Sequence, residues 1–322
     1  MAINFSDITV VVQGPVQSYQ ERAQETGITH KCLQSIREHL PGAKIILSTW
    51  EGQDCSGLGL EPDLLLLNQD PGGNIVAYDA AGKPQKLNFN RQIVSSAEGL
   101  KRVETRYAVK LRSDNFLTGK GFVAAQDKYP VRNAADSYFQ ERVVVNTSYF
   151  RRYAEGQRVV RHPSDFFHFG LKEDLLKIWD LPLFADLEYD PSRSGQAQYH
   201  GAPLTCPHAE QIYCDIWLRR LDPAWPKLEH RHHFDAAMDE QWDRFMASNL
   251  LVLEPEQIGL GLIKRFIPKS KRPNEMSHLD WQLLYQRYCD PKFPASKLAL
   301  FSTLGWRRML KMPFSYLKFR LG

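Results

Sequence analysis

The sequence predicts an α/β fold with a mostly parallel, doubly wound sheet and helices on both of its faces. Short apolar runs rich in β-branched residues recur through the first third of the chain, as strands buried on both faces require. Segments whose apolar residues follow helical spacing separate these runs. Because parallel strands need a crossover connection, which is usually a helix, this alternation favours a parallel sheet.

Four strands are predicted in the first half of the chain. They cover residues 8–16, 43–51, 63–68 and 107–115. Two helices are predicted to begin near Thr29 and Asn88, because apolar residues recur there every three or four positions. The apolar positions are Cys32, Leu33, Ile36 and Leu40 in the first helix, and Ile93, Val94, Ala97, Leu100 and Val103 in the second.

The second half of the chain is less regular. A strand is predicted over 142–146, where three valines are consecutive. Helices are predicted around 175–179 and over 205–221, where apolar residues recur at helical spacing. The stretch 268–273 begins and ends in proline and is interpreted as a linker.

The composition is that of a globular protein, with 43% hydrophobic and 24% charged residues and a net charge of +4. The five cysteines show no CxxC spacing and are odd in number, which argues against a zinc knuckle and a disulfide framework. The N-terminus shows no signal-peptide pattern, and no apolar run approaches the roughly 18 residues of a spanning helix. These observations predict a cytoplasmic protein.

Polar residues and one glycine lie at the ends of several predicted strands and at the start of the second predicted helix. Because the carboxyl ends of parallel strands and the starts of the following helices share one edge of a sheet, we expect these residues to converge. They are Gln13, Gly14, Ser48, Glu51, Asn90, Arg91, Arg112 and Asp114. Helix N-termini and guanidinium groups both favour an anion such as a diphosphate.

Two common nucleotide-binding signatures are absent from the sequence. No Gly-x-Gly-x-x-Gly follows the first strand, which counts against a dinucleotide cofactor, and no GxxxxGK[ST] loop occurs, which counts against an ordinary ATPase. A nucleotide-binding sheet without either signature suits an enzyme that uses a nucleotide sugar. In many such enzymes an aspartate after the fourth strand, here Asp114, helps to hold a divalent cation on the diphosphate.

Candidate catalytic residues lie in the second half. Asp165 is a candidate general base, which His162 and His168 could orient. The alternative is that the aromatic residues of 162–170 belong to the core and the polar residues of this segment cap neighbouring elements. The histidines could instead bind an acceptor. Glu210 lies in the first turns of a predicted helix and is a second candidate, although a solvated helix start is the alternative. The histidines of 230–233 could bind a metal, but zinc usually needs closer cooperation with Cys or acidic ligands.

The stretch 301–321 combines aromatic residues, leucines and positive charge and contains no acidic residue. This combination predicts a segment that lies on an anionic membrane surface. The alternative is a terminal helix packed on the body with its basic side in water. No nucleic-acid recognition motif accompanies the charge, so nucleic acid is not expected as a partner.

Several motifs resemble those of the WavE-type lipopolysaccharide-synthesis family, and the resemblance covers most of the chain. In the first half they are Val-Val-Val-Gln-Gly-Pro-Val (10–16), Leu-Ser-Thr-Trp-Glu-Gly (47–52), Asn-Phe-Asn-Arg-Gln-Ile-Val-Ser (88–95) and Lys-Leu-Arg-Ser-Asp-Asn (110–115). In the second half they are His-Pro-Ser-Asp-Phe-Phe-His-Phe-Gly (162–170) and Ala-Glu-Gln (209–211).

The resemblance implies a bacterial glycosyltransferase of the GT-A fold that acts on lipopolysaccharide core, O-antigen or capsule. We accordingly predict a GT-A-like domain at 1–255, with a nucleotide-binding half at 1–125 and an acceptor half at 126–255. A basic amphipathic segment at 256–322 would follow, on the inner face of the cytoplasmic membrane. The implied partners are a nucleotide-sugar donor and a glycan or lipid-linked glycan acceptor.

In such an enzyme the converging polar residues would bind the nucleotide, with Asp114 on a Mn²⁺ or Mg²⁺ ion or on the donor ribose and sugar. If the enzyme inverts, Asp165 or Glu210 would deprotonate the acceptor hydroxyl. Glycosyltransferases of this fold usually carry Asp-x-Asp, whereas this chain has Arg112 in the first acidic position. The arginine weakens a cation site and could itself neutralise donor phosphate. Metal dependence is therefore open, and a CMP-sugar donor also fits.

Two other functions fit the same residues. A nucleotidyl- or phosphotransferase acting on sugar phosphates would be stabilised better by a nucleoside triphosphate than by a nucleotide sugar. A non-catalytic scaffold that tethers a polysaccharide-assembly complex to the membrane would keep glycan synthesis intact after Asp114→Ala.

Overall fold

The computed structural model of the protein describes residues 3–18, 24–199, 207–267 and 272–321. Its strands are β1 (Ile8–Gln13), β2 (Lys44–Trp50), β3 (Leu64–Asn68), β4 (Asn74–Tyr78), β5 (Pro84–Leu87), β6 (Tyr107–Arg112), β7 (Asn115–Leu117), β8 (Val143–Asn146), β9 (Tyr153–Ala154), β10 (Gln157–Arg158), β11 (Phe167–Leu171), β12 (Gln198–Tyr199), β13 (Leu250–Leu253) and β14 (Leu260–Leu262). Its α-helices are α1 (Ile28–His39), α2 (Phe89–Lys101), α3 (Lys172–Trp179), α4 (Ala209–Leu221), α5 (Ala236–Asn249), α6 (Pro255–Ile258), α7 (His278–Tyr288), α8 (Lys297–Leu300) and α9 (Trp306–Leu321).

A seven-stranded sheet forms the centre of the molecule, in the order β13-β8-β11-β6-β1-β2-β3. Six of these strands run in one direction, because β1 is parallel to β2 and β6, β2 to β3, and β8 to β13. Strand β11 runs the opposite way, antiparallel to both of its neighbours. The predicted large, mostly parallel sheet flanked by helices is confirmed, and a specifically GT-A arrangement stays a prediction.

The antiparallel strand β11 places Asp165 at the edge of the sheet where β6 ends. The chain reaches β11 from β8 through the small β9–β10 hairpin, without a crossover helix, and therefore returns in the opposite direction. Phe167 pairs with Leu111, so the residues before Phe167 lie beside the end of β6. The sequence analysis did not predict this strand, because its residues, Phe-His-Phe-Gly-Leu, include none of the β-branched residues that marked the predicted strands.

Helix α2 packs across β1 and β2 at a close distance. A Cβ at Gly99 would overlap the side chain of Val11, so only glycine allows the helix to approach β1 so closely. This packing fixes the start of α2 at the edge where β1 and β2 end.

Some predicted boundaries and loops differ from the structure. The first strand ends at Gln13, because Gly14 takes a φ of 119° and leaves the extended conformation. Between β3 and α2 the chain forms the β4–β5 hairpin, which the sequence analysis did not predict because β5 exposes all four of its residues and so lacks an apolar pattern. Helix α4 begins at Ala209, whereas residues 205–206 of the predicted helix lie outside the described residues.

Residues after 255 contribute to the body of the molecule. Strand β14 pairs with β7, and α7 packs against α5 with Trp281 and Tyr285 fully buried. Of the linker predicted at 268–273, residues 268–271 lie outside the described residues. The division of the chain at 255 stays a prediction. Within the described ranges, no helix is both long and apolar enough to cross a membrane.

Candidate functional site

A cleft of about 520 Å³, counting the space open to solvent, lies at the edge of the sheet where β1, β2 and β6 end. It is lined by Gln13, Gly14, Pro15, Trp50, Asn88, Arg91, Gln92, Ser95, Arg112, Ser113 and Asp114. Five of the eight residues predicted to converge are in this lining, namely Gln13, Gly14, Arg91, Arg112 and Asp114. The strand ends and the start of α2 therefore meet as the parallel topology requires, and the binding roles of these residues stay predictions.

The other three predicted residues lie outside the lining. Ser48 is buried, and its Oγ accepts a hydrogen bond from Asn68 Nδ2 at 2.9 Å. Asn90 Nδ2 donates to the Phe184 carbonyl at 2.9 Å, and Asn90 Oδ1 accepts from the Phe184 N–H at 2.7 Å. Glu51 is exposed. Ser48 and Asn90 support the walls of the cleft, and a direct contact between any of the three and a nucleotide stays a prediction.

Gly14 allows the ends of β1 and β6 to come together at the floor of the cleft. A Cβ on Gly14 would lie 2.9 Å from Ser113 Oγ, which itself donates to Pro15 O at 2.7 Å. The φ of 119° would also strain an L side chain. Glycine at this position keeps the floor of the cleft open to a ligand.

Two arginines hold Asp114 on the floor of the cleft. Arg112 Nε and Nη2 donate to Asp114 Oδ1 and Oδ2, both at 2.9 Å. Arg265 Nη2 donates to Asp114 Oδ2 at 2.8 Å. The Arg112 guanidinium also lies over the rings of Phe166 and Phe266, 4.9 and 5.2 Å from their centroids. Arg112 therefore has a fixed position from which its charge can act.

Arg265 reaches this site through the pairing of two short strands. Leu262, at the end of β14, pairs with Asn115, at the start of β7. Asp114 precedes Asn115 and Arg265 follows Leu262 by three residues, so the antiparallel pairing brings the two side chains together. Nothing local in the sequence indicated this contact, because 151 positions separate the two residues.

The Asp114 carboxylate, the candidate cation ligand at the end of the fourth predicted strand, is engaged by guanidinium groups in the structure, and its metal role stays a prediction. Both of its oxygens already accept hydrogen bonds from guanidinium groups. Across the described ranges, no group of three or more His, Cys, Asp and Glu could hold a metal ion. Divalent cations need several oxygen ligands, and two arginines would repel a cation here. As they stand, these residues do not fit Mn²⁺ or Mg²⁺ on Asp114.

Arg91, at the start of α2, is held by an acid that the sequence analysis did not single out. Arg91 Nε and Nη2 bond to Asp70 Oδ1 and Oδ2 at 2.7 and 2.8 Å, and Arg91 Nη1 donates to Asn88 Oδ1 at 2.7 Å. Asp70 follows β3 by two residues, on the same edge of the sheet. The rule that gathered the other strand ends would have found it.

Asp165 is an ionised carboxylate surrounded by donors. The Gln92 amide donates to Asp165 Oδ2, Lys110 Nζ donates to the Asp165 carbonyl, and Arg112 Nη1 lies 3.7 Å from Oδ2. Burial alone would raise the pKa of Asp165, but the positive charges of Arg112 and Lys110 outweigh burial and lower it. Burial alone would lower the pKa of Arg112, but the negative charges of Asp114 and Asp165 outweigh burial and raise it. Asp165 is consequently a weak base.

Glu210 lies in the first turn of α4, as predicted, and its environment differs from that of Asp165. Its Oε2 is 3.7 Å from His162 Nε2, which also lies 3.1 Å from His208 Nδ1. Burial and the negative charge of Asp165 raise the pKa of Glu210 to about 7. A carboxyl group that titrates near neutral pH suits general acid or base catalysis better than one that stays ionised.

The two histidines considered as partners of Asp165 have different surroundings in the structure. His162 contacts Glu210 rather than Asp165, and His168 lies on β11 with its ring centroid 5.5 Å from that of Trp179. Burial lowers the pKa of both to about 3, so both are neutral near pH 7. His162 is therefore placed to orient Glu210 and not Asp165.

The histidine run at 230–233 forms no metal centre with the rest of the described chain. His232 Nε2 lies 3.1 Å from Glu155 Oε2, and the rings of His230 and His233 are 5.5 Å apart. These side chains therefore do not converge on one point as the four ligands of a closed zinc site must.

Comparison with known proteins complements this geometry. No curated protein matches the chain. The crystal structure of HddC from Yersinia pseudotuberculosis is similar to the chain with a TM-score of 0.32 and 9% sequence identity, over 57% of this chain and 85% of that one. A family description, WavE lipopolysaccharide synthesis, matches residues 8–314. Since this match spans nearly the whole sequence, the chain belongs to the WavE lipopolysaccharide synthesis family.

Proposed function

We propose that the chain is a glycosyltransferase that moves a sugar from a nucleotide-sugar donor to an acceptor hydroxyl in lipopolysaccharide synthesis. One observation carries the proposal. Arg112 lines the cleft and shares Asp114 with Arg265, and two carboxyl groups of unequal pKa, Asp165 and Glu210, lie near Arg112 at the same edge of the sheet. Sugar transfer needs positive charge for the departing phosphate and a base for the attacking hydroxyl.

Arg112, Arg265 and Arg91 would bind the phosphate groups of the donor. Guanidinium N–H groups are strong donors to phosphate oxygens, and Arg112 would use Nη1, because its Nε and Nη2 already donate to Asp114. Arg112 and Arg265 are already fixed by their bonds to Asp114, so they would lose little freedom on binding. Asp114 is in this scheme a positioning residue for the two arginines.

The guanidinium N–H groups at this position, rather than a divalent cation, would stabilise the charge on the leaving group. The proposal therefore expects transfer that does not require Mn²⁺ or Mg²⁺. A CMP-sugar needs the least added charge of the common donors, because its leaving group carries a single phosphate.

Glu210 would take the proton of the acceptor hydroxyl in an inverting transfer, with His162 orienting its carboxyl group. Asp165 would instead bind a sugar. Its Oδ1 is buried and has no hydrogen-bond partner among the described residues. Because a buried unsatisfied carboxylate oxygen is costly, a sugar hydroxyl that donates to it would be favoured.

Thermal unfolding in the presence of donors tests this proposal. UDP-, GDP-, CMP- and TDP-sugars are added in turn, with either EDTA or Mn²⁺. We expect at least one nucleotide sugar to raise the unfolding temperature in EDTA, and Arg112→Ala to lose this increase. Arg106→Ala is a matched control, because Arg106 precedes the same strand β6 at its opposite end and is 67% exposed.

The donor that stabilises the protein is then incubated with purified lipopolysaccharide, and release of free nucleotide is measured. No stabilisation by any nucleotide sugar would contradict the proposal. Stronger stabilisation by a nucleoside triphosphate would favour nucleotidyl transfer instead. A strict need for Mn²⁺ would contradict the role given to the two arginines.

A further inference from the structure

Helix α9 lies on the body of the molecule with a defined side facing inward. Arg308 Nη1 and Nη2 donate to Asp280 Oδ1 and Oδ2 at 2.6 and 2.8 Å. Arg308 also donates to the carbonyl oxygens of Pro273 and Glu275, at 2.9 and 2.7 Å. Asp280 Oδ2 in turn accepts from Ser277 at the start of α7. Arg308 thus ties α9 to the start of α7 and fixes its rotation.

A second contact brings the backbone of α9 against the turn between β9 and β10. Gly156 in this turn has a φ of 77°, and a Cβ there would collide with the Met312 carbonyl oxygen. Nearer the end of the helix, the ring of Phe319 lies 5.8 Å from that of His232. Arg308, Met312 and Phe319 therefore mark the inward side of α9.

The opposite side of α9 is apolar and faces solvent. Its residues, which we call the apolar stripe, are Trp306, Leu310, Phe314, Leu317 and Leu321. At about 100° per residue the stripe spans an arc of about 80°, centred about 180° from the inward side. All five side chains are exposed, Phe314 by 73% and Leu317 by 56%. A helix packed on a body in water would normally turn such residues inward, so the stripe points to a missing partner.

Positive charge borders the apolar stripe. Helical spacing puts Arg307, Lys311 and Lys318 along one side of it and Arg320 along the other. No Asp or Glu occurs from residue 291 to the end of the sequence. The partner of this surface must therefore be apolar in the middle and negative at the borders.

We infer that α9 docks on the surface of an anionic lipid bilayer, with the apolar stripe among the acyl chains and the bordering cations on lipid phosphates. A helix lying in the interface with apolar residues down and basic residues at the headgroups has this arrangement. The inference does not depend on which reaction the cleft performs. It refines the expected membrane segment by naming the face that inserts.

A second copy of the chain is a less suitable occupant. Stripe-to-stripe packing would bring the bordering cations of both copies together, with no acid on either segment to pair with them. An uncharged apolar partner would likewise leave Arg307 and Lys318 without counter-charge. The bilayer supplies both the apolar interior and the negative border.

Co-sedimentation of the full chain with lipid vesicles tests the inference. One set of vesicles contains phosphatidylcholine alone, and the other contains phosphatidylcholine with phosphatidylglycerol. We expect binding to the anionic vesicles, weaker at high salt, and much less binding to the neutral ones. Brominated lipids should quench the fluorescence of Trp306, and Trp306→Phe should remove that part of the quenching.

The Leu317→Glu variant should bind anionic vesicles at least tenfold more weakly than the wild type, because it puts a negative charge in the apolar stripe. Leu183→Glu is the matched control, since Leu183 is also 56% exposed but lies in the loop after α3. The unfolding temperature of both variants should match the wild type, because both leucines face water. If Leu317→Glu unfolds early, Phe314→Glu takes its place.

Equal vesicle binding by Leu317→Glu and Leu183→Glu would overturn the inference, and so would failure of the wild type to bind anionic vesicles. Sedimentation equilibrium measures whether the chain forms a dimer. A dimer that Leu317→Glu dissociates, without vesicle binding, would assign the stripe to a second copy and also overturn it.

Discussion

The two basic regions of this protein, the floor of the cleft and helix α9, use positive charge in opposite ways. In the cleft, Arg112 and Arg265 share the carboxylate of Asp114, and each guanidinium has a fixed direction. On α9 the cations other than Arg308 border exposed apolar side chains, and no acidic residue occurs in the sequence after Asp290. The first arrangement suits a small anion of defined geometry, and the second suits a surface whose charges can rearrange.

The difference shows that a count of charges does not identify a partner. The net charge of +4 says little about either region. A carboxylate beside an arginine reduces the long-range attraction of the arginine for an anionic partner, but it fixes the position of the N–H donor groups. Cations without acid nearby keep their long-range attraction and lose directional specificity. Substitutions in the two regions should therefore have separate effects on nucleotide binding and on membrane binding.

Glu210→Gln should have the largest effect, confined to the cleft. Removal of the general base should lower kcat by roughly 10²- to 10⁴-fold with little change in the KM of the donor. In the wild type, kcat should rise as the pH passes through about 7, because Glu210 must be ionised to accept a proton. Steady-state rates of nucleotide release across pH measure both effects.

Glu98→Gln is the control for this substitution, because Glu98 lies on α2 with its side chain 44% exposed. Vesicle binding of Glu210→Gln should equal that of the wild type. A normal kcat in Glu210→Gln would remove Glu210 from the mechanism, and Asp165 would then be the remaining candidate base.

Asp114→Ala should have the next largest effect, on stability. Removal of the buried Asp114 carboxylate leaves the partly buried Arg112 without its main counter-charge, which should lower the free energy of unfolding by about 3 kcal/mol. Urea denaturation measures this change. Glu104→Ala removes an exposed partner of Lys44 and should leave the midpoint nearly unchanged. An equal shift in both variants would mean that Asp114 does not hold the arginines in place.

Glu210 should also make the stability of the fold depend on pH. Its pKa of about 7 in the folded state exceeds the ordinary 4.5, so the folded state favours the protonated form. Its contribution to stability is therefore present below about pH 4.5 and is lost as the pH rises through about 7. Relative to the wild type, Glu210→Gln should gain up to about 3 kcal/mol above pH 8 and nothing near pH 4. Urea denaturation of both proteins at the two pH values checks the sign, and a gain at low pH would contradict it.

Lys318→Gln should have the smallest effect, and it should change membrane binding alone. A single cation near an anionic bilayer contributes about 1 kcal/mol, so affinity for anionic vesicles should fall about fivefold. Nucleotide-dependent stabilisation should not change.

Arg265→Ala should show the reverse pattern, with weaker nucleotide binding and normal vesicle binding. Two variants with the same profile would mean that the two basic regions are not functionally separate.

The sequence predicted the sheet and one wall of the site because both depend on local patterns. Buried strands and amphipathic helices leave periodic signals, and parallel topology then brings Gln13, Arg91 and Arg112 to one edge. Asp70 obeys the same rule and was predictable.

The remaining features depend on tertiary contacts that leave no local signal. Arg265 meets Asp114 only because β14 pairs with β7. Strand β11 contains no β-branched residue and is reached through a hairpin without a crossover helix, so its direction, and with it the position of Asp165, was not predictable. The raised pKa of Glu210 comes from burial by elements distant in the sequence, and a sequence can name the carboxyl group but not its proton affinity.

The anchoring of α9 by Arg308 has a consequence for how strongly the protein would adsorb to a bilayer. A disordered basic tail must fold on the lipid, and the entropy lost in folding weakens its affinity. Here the helix is already formed and its rotation is already set, so adsorption orders very little chain. The same rigidity would hold the cleft at a constant height and angle above the lipid. Only acceptors whose reactive hydroxyl lies at that distance from the lipid could then reach the proposed active site. The anchoring of α9 would therefore select acceptors by their length.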